Sequence, residues 1–190
     1  MARIADQRKT ALSARRRLSA VDRRRASRAA CRRLARLPAV QRAHRIGLYW
    51  PLASEIDPRP LIPLLGQSPP VVCYPRVVGD VLRFVPIRSA RAWRRSELGV
   101  CEPGGWSRPV NALDVLVMPL AGFDTNAHRI GLGGGFYDRT LAPVRDRAYR
   151  SPTRIGLAFE CQRLDAVEPQ PWDVELAAVV TENRVYRRRP

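Results

Sequence analysis

The sequence predicts an α/β fold with a largely parallel sheet, and three observations carry that prediction. Short apolar runs recur along the chain, at Val71–Pro75, Val81–Pro86, Leu113–Pro119, Arg154–Phe159 and Leu176–Thr181. Segments with helical spacing or helix-start signals precede them and lie between them, the alternation that builds sheets with crossover helices. A glycine-rich turn joins the most apolar of these runs to a helical segment. The 190 residues suit one ordinary domain, residues 1–190, with enough chain to bury a core.

In order, a first helix is expected from Arg3 to Leu18. Ser19 then offers an N-cap, with Asp22 three residues on as a variant capping box. The second helix reaches about Leu37 and stops before Pro38, with Val21, Ala30, Leu34 and Leu37 marking its apolar face. His44–Pro51 reads as a buried strand. Asp57-Pro58 is a cap followed by proline, which predicts a short helix over Arg59–Leu65. Two strands follow at Val71–Pro75 and Val81–Pro86. Residues 88–112 are polar and rich in Gly and Pro, and read as a long loop. Leu113–Pro119 is a central strand, a helix begins near Gly135, and Arg154–Phe159 and Leu176–Thr181 complete the strands.

Composition narrows the function classes. No run of 18 apolar residues occurs; the longest, Val115 to Phe123, is too short to span a bilayer. The basic N-terminus lacks the apolar stretch of a secretory signal, and the expected location is the cytoplasm. Net charge is +17, and Lys9 is the only lysine. Residues 1–45 hold fifteen basic and two acidic residues, a field that attracts nucleotides, nucleic acid or polycarboxylates. A solvated helix face explains many of these arginines equally well. Cys31, Cys73, Cys101 and Cys161 form no C-x-x-C and read as free, mostly buried thiols of a reducing compartment. The two histidines, His44 and His128, are too far apart in sequence to suggest a zinc site with these cysteines.

The chemistry concentrates in Arg129-Ile-Gly-Leu-Gly-Gly-Gly-Phe-Tyr-Asp138. Four glycines in five positions remove side chains where the backbone must approach something closely, and let successive N–H groups converge on an anion. Arg129 forks onto phosphate oxygens, the helix start adds partial positive charge, and Asp138 suits Mg²⁺. A Walker loop would end in Lys-Ser/Thr and a dinucleotide fingerprint would place Gly at Phe136, so both are excluded. The glycines taken alone would equally serve a tight turn between strand and helix.

This stretch, with L-D-V-L-V-M-P before it, resembles the signature of the 5-formyltetrahydrofolate cyclo-ligase (5,10-methenyltetrahydrofolate synthetase) family. The resemblance extends to the basic helix pair, to I-G-L-Y-W-P-L-A-S-E-I-D, to G-V-C-E-P and to the tail P-W-D-V-E-L-A-A-V-V-T-E. It implies an open, Rossmann-like sheet and an ATP- and Mg²⁺-dependent enzyme. It places Arg129, Gly131, Gly133, Gly134, Gly135, Phe136 and Tyr137 on ATP phosphates, with Arg129 and Tyr137 as the catalytic candidates. Asp138 and Asp173 become the Mg²⁺ ligands, Trp50 and Glu55 the folate contacts, and Glu102-Pro103 a further part of that pocket. The family's paired basic residues on the first helix fall here on Ile4 and Arg8. Arg8, with Arg3 or Lys9 sharing the task, is then expected at ATP. Some members carry Lys where this chain has Gly134, which leaves more of the phosphoryl charge to Arg129.

The implied reaction needs no protein nucleophile. The formyl oxygen of 5-formyltetrahydrofolate attacks the γ-phosphate of ATP, and N10 closes the ring as phosphate leaves. The expected partner is this small molecule, in mono- or polyglutamate form, with no membrane and no nucleic acid, and the chain is expected to act as a monomer. Three other readings stay open, of which a sugar-phosphate isomerase or acyl-transferase relation rests on fold analogy alone. A nucleic-acid-binding protein draws on the charge but lacks interleaved aromatics or a recognition motif. A family member with a changed acyl substrate would keep the same phosphate loop.

Overall fold

The computed structural model describes residues 2–96, 99–144 and 151–188. Helix α1 (Ala2–Arg17) and helix α2 (Ala20–Ala35) form the basic pair. Between them Ser19 Oγ accepts from the Asp22 amide at 3.1 Å, as the capping signal predicts. Ala30 and Leu34 of α2 are buried, whereas Val21 is 63% exposed and lies outside the packed face. Pro38 ends one helix and starts another, because proline suits a first helical turn: α3 covers Pro38–Gln41.

The strands are β1 (Arg45–Gly47), β2 (Val71–Val78), β3 (Val81–Pro86), β4 (Trp93–Arg95), β5 (Cys101–Pro103), β6 (Val115–Pro119), β7 (Gly122–Phe123), β8 (Arg129–Ile130), β9 (Thr153–Leu157), β10 (Ala178–Val180) and β11 (Val185–Arg187). Seven form one sheet in the order β11-β10-β9-β6-β1-β2-β3. Pairing is parallel from β10 through β2, and the edges β11 and β3 are antiparallel. Alternate residues of β6 explain its wholly apolar sequence. Val115 and Val117 pack with Leu34 of α2 on one face, and Leu116 and Met118 with Phe84 and Leu141 on the other. Leu141 belongs to α4 (Phe136–Leu141).

Several expectations need correction. The strand expected over His44–Pro51 pairs only at Arg45–Gly47; the rest leaves the sheet. The Arg59–Leu65 helix is a 3₁₀ turn over Arg59–Leu64, since Pro60 and Pro63 remove the donors an α-helix needs. Residues 88–112 are not loop throughout: β4 and β5 pair antiparallel within them, while residues 97 and 98 lie outside the described residues. Strand β2 extends past Pro75 to Val78, joining β3 through a Gly79-Asp80 turn, and β11 was not anticipated. The cysteines are free, but only Cys31 and Cys73 are buried; Cys161 is exposed. Among the described residues no helix is long and apolar enough to cross a membrane.

Candidate active site

The chain runs from β1 outward to β2, then returns to lay β6 on the opposite side of β1. Connections therefore diverge between β1 and β6, and a crevice opens outside their carboxyl ends, where open α/β sheets bind ligands. A cavity of about 740 Å³ occupies this place. Tyr49 and Trp50, just after β1, line it with Pro119 at the end of β6. The residues that left the predicted strand are thus those the switch point needs.

The same cavity gathers nearly every residue that the sequence singled out. Arg8, Trp50, Glu55, Glu102, Arg129, Gly131, Gly133, Gly134, Gly135, Phe136, Tyr137, Asp138 and Asp173 all line it. Arg3 does not: it is exposed near the start of α1, and Arg8 is the basic residue of that helix at the cavity. Pro103 is buried and outside the lining.

Local sequence explains the loop. Asp124, 2% exposed, accepts from the amides of Asn126, His128 and Val167 at 2.9–3.0 Å and from His128 Nδ1 at 2.9 Å. Those bonds hold the β7–β8 turn, including Ala127 at φ +63°, and so set where Arg129 emerges. Gly133 at φ +105° and Gly135 at φ +66° then turn the chain into α4 through conformations that disfavour a side chain. Arg139 clamps this loop. Its guanidinium lies 5.0 Å from the Phe136 ring, and it donates to the carbonyls of Gly134 and Asp80, each at 2.9 Å.

Arg129 is buried, and three contacts define its orientation. Nη2 pairs with Asp138 Oδ1, Nε donates to the Val174 carbonyl at 3.3 Å, and Nη1 faces Gly131. Asp138 Oδ1 also accepts from the Val174 amide at 3.3 Å, and Asp173 Oδ2 from the Gln170 amide at 2.9 Å. Arg8 Nε donates to the Gly131 carbonyl at 2.9 Å, so α1 docks directly onto the glycine loop.

The other end of the cavity is aromatic and acidic. Trp50 packs 4.9 Å from Trp93 and 5.8 Å from Tyr74, with the Arg59 guanidinium 4.8 Å from its ring. Glu55 is 7% exposed; Oε2 accepts from the Leu52 amide at 2.8 Å, and Oε1 has no hydrogen-bond partner. Burial pushes its carboxyl above the ordinary range, against the pull of the Leu52 amide and of Arg15. Burial and the nearby Glu55 push the Tyr137 phenol far up, so it is neutral at physiological pH. Tyr49, likewise held neutral by burial, donates to the Ile56 carbonyl at 2.6 Å. Glu55 lines the cavity with a carboxylate that the fold leaves only partly satisfied, which suits a ligand that brings N–H groups.

Sequence reasoning missed Tyr49, Arg139, Leu82 and Trp172, all in the lining. Trp172 was within reach, because it directly precedes Asp173 in the tail motif.

Comparisons with known proteins identify the family. The model of the 5-formyltetrahydrofolate cyclo-ligase family matches residues 2–182. The 5-formyltetrahydrofolate cyclo-ligase of Escherichia coli strain K12 is 33% identical over 156 residues, covering 78% of this chain and 84% of that one. The Haemophilus influenzae cyclo-ligase is 32% identical, over 72% of this chain and 74% of its own. The solved 5,10-methenyltetrahydrofolate synthetase of Aquifex aeolicus matches with a TM-score of 0.83 at 28% identity, covering 98% and 93% of the two chains. The Mycoplasma pneumoniae synthetase shares the fold, with a TM-score of 0.74. With the family model matched over nearly its whole length, this chain belongs to the 5-formyltetrahydrofolate cyclo-ligase family.

Proposed function

We propose that the protein cyclises 5-formyltetrahydrofolate to 5,10-methenyltetrahydrofolate with ATP as co-substrate, giving ADP and phosphate, and that the whole chain acts as one catalytic domain. The observation that carries this is one cavity with two chemically different ends. A glycine loop flanked by Arg129 and Arg8 forms one end, and Glu55 with Trp50 forms the other. Phosphates need the first, and a flat ring with a donor edge needs the second.

The residues divide the work as follows. The amides of the loop, with Arg129 Nη1 beside Gly131, take the phosphate oxygens. Glu55 accepts from the pterin's amino and ring N–H groups while Trp50 packs on the ring. This sets the formyl oxygen toward the γ-phosphate. The phosphorylated formyl group is then attacked by the substrate's own N10, and phosphate leaves. Positioning and charge stabilisation are the protein's main contributions. Tyr137 stands between the two ends as a neutral hydroxyl, able to donate to a phosphate oxygen without adding negative charge.

Mg²⁺ fits the donor set. Asp138 and Asp173 both line the cavity, and each uses one oxygen for the bonds described above. No group of three or more His, Cys, Asp or Glu that could hold a metal occurs among the described residues. Mg²⁺ asks for less, taking one or two carboxylates together with phosphate and water. Bound there, it would neutralise phosphate charge. Arg129 orients Asp138 for that role through their ion pair.

The basic α1–α2 pair favours polyglutamylated folate over the monoglutamate. Low salt should widen the affinity gap and high salt narrow it; equal affinities at low salt would remove this element. The decisive assay for the reaction is a rise in methenyl absorbance on mixing protein, 5-formyltetrahydrofolate, ATP and Mg²⁺. A rise that needs all of them establishes the activity. ATP binding without that rise would favour a changed acyl substrate.

A further inference from the structure

Arg15 stands apart from its neighbours in sequence. Arg16 and Arg17 are exposed, whereas Arg15 is 5% exposed. Its Nη1 lies 3.9 Å from Glu55 Oε1 and 3.5 Å from the Leu120 carbonyl. Its Nε has no hydrogen-bond partner, and neither has Glu55 Oε1. A buried ion pair this loosely satisfied is a poor stability device, since apolar residues of similar size often serve a fold as well or better. Its location supplies another reason. Glu55 lines the cavity, and Arg15 stands behind it, outside the lining.

The groups facing Glu55 are Arg15 from α1, Tyr49 after β1 and Tyr137 from α4. Arg15 is the cation among them. It is faced in turn by Tyr49, Arg16 and Cys161. Burial alone favours the neutral carboxyl, and a protonated Glu55 would meet the donor edge of a pterin with a donor of its own. Arg15 also follows Arg8 by seven residues, two helical turns or about 10.5 Å on the same face. One helix therefore contacts the glycine loop through Arg8 and the acidic end of the cavity through Arg15.

We propose that Arg15 is a positioning residue for the folate, fixing the charge and orientation of Glu55 so that its carboxylate is held at the cavity as an acceptor. This rests on the cyclo-ligase reading above. The test is a double-mutant cycle with Arg15→Met and Glu55→Gln, with Arg15→Lys as the conservative variant. Affinities for 5-formyltetrahydrofolate and for ATP are read separately, with kcat and KM measured across pH. Arg15→Met should raise the folate Kd tenfold or more, leave the ATP Kd within twofold, and move the acid limb of kcat/KM to higher pH. Arg15→Lys should recover most of the affinity. In the Glu55→Gln background Arg15→Met should change folate affinity less than twofold, because its effect passes through the carboxylate. That double variant also removes the stranded buried charge, so it keeps the test usable if Arg15→Met alone fails to fold.

Wild-type folate affinity in Arg15→Met overturns the proposal. So does an equal loss in both backgrounds, or an equal loss for ATP, since each marks a purely structural role. A wild-type protein that binds ATP but not the folate overturns the cyclo-ligase reading itself, and is told apart by needing no variant.

Discussion

Replacing Arg129 by alanine should lower turnover about 10²–10³-fold, the usual cost of deleting one preorganised donor aimed at developing charge. The structure sets that size. Nη2 is committed to Asp138 and Nε to the Val174 carbonyl, so Nη1 beside Gly131 is the donor directed at the loop. Losing that one donor costs about 2.7–4 kcal/mol of transition-state stabilisation, and each 1.36 kcal/mol is about tenfold in rate. The substitution also strips the buried Val174 carbonyl of a donor, which costs about 1–3 kcal/mol of stability. Asp138 is 22% exposed at its side chain and regains water, so it adds less. The unfolding temperature should therefore fall by about 2–12 °C. The assay is methenyl absorbance at saturating ATP, Mg²⁺ and folate, well below the unfolding temperature of both proteins. Arg129→Lys should lie between the two, since it keeps the charge but loses the fork. An alanine variant turning over within threefold of wild type would refute the assignment of Arg129 to the transferring phosphoryl.

Asp138→Asn and Asp173→Asn should each raise the Mg²⁺ concentration needed for half-maximal rate about tenfold or more, with folate KM little changed; a Mg²⁺ titration reads this, and an unchanged requirement removes the residue from the metal site. Gly156→Ala should destabilise the fold by about 1–3 kcal/mol in urea unfolding, because its Cβ would come within 2.8 Å of Leu120 Cδ1 and 2.9 Å of Leu176 Cδ1. Burial pushes the Cys31 thiol up to about 12 and Cys73 up to about 11, while Cys161 is exposed. At pH 8 both buried thiols lie on the protonated side of those values. Alkylation followed by mass spectrometry should mark Cys161 first and reach Cys31 and Cys73 only on unfolding; early labelling of Cys31 would contradict the packing around α2.

The parallel core was legible chiefly because β6 is buried on both faces, which writes itself into the sequence as an unbroken apolar run, whereas β9 is buried only from Ile155 to Leu157. Strands β4 and β11 were not, for opposite reasons. Trp93–Arg95 is exposed throughout and carries no periodicity, and Val185–Arg187 is a three-residue edge held by antiparallel pairing to β10. The glycine loop could be read from its residues, since Gly133 and Gly135 do take left-handed conformations. Trp50 and Glu55 came only from the family resemblance; alone they read as core and loop. Arg15 was hidden within three consecutive arginines, of which helix phase buries one. Its signal was spacing: position 15 falls four residues after buried Ala11 and seven after Arg8.

That spacing says why an arginine-rich helix belongs to this site and is more than a charged appendage. The sheet supplies the crevice between β1 and β6, but its own residues supply only walls. Arg129 arrives on the β7–β8 hairpin, and α1 lies against that hairpin, where a side chain at Gly122 would come within 3.2 Å of Ala11 Cβ. Arg8 then bonds the Gly131 carbonyl two residues beyond Arg129. Helix, hairpin and loop are thus fixed to one another by a close backbone approach and a side-chain bond. Attraction of polyanions by the +17 field is non-directional. Contacts at positions 8, 11 and 15 convert part of it into geometry, while the arginines on the opposite face stay solvated.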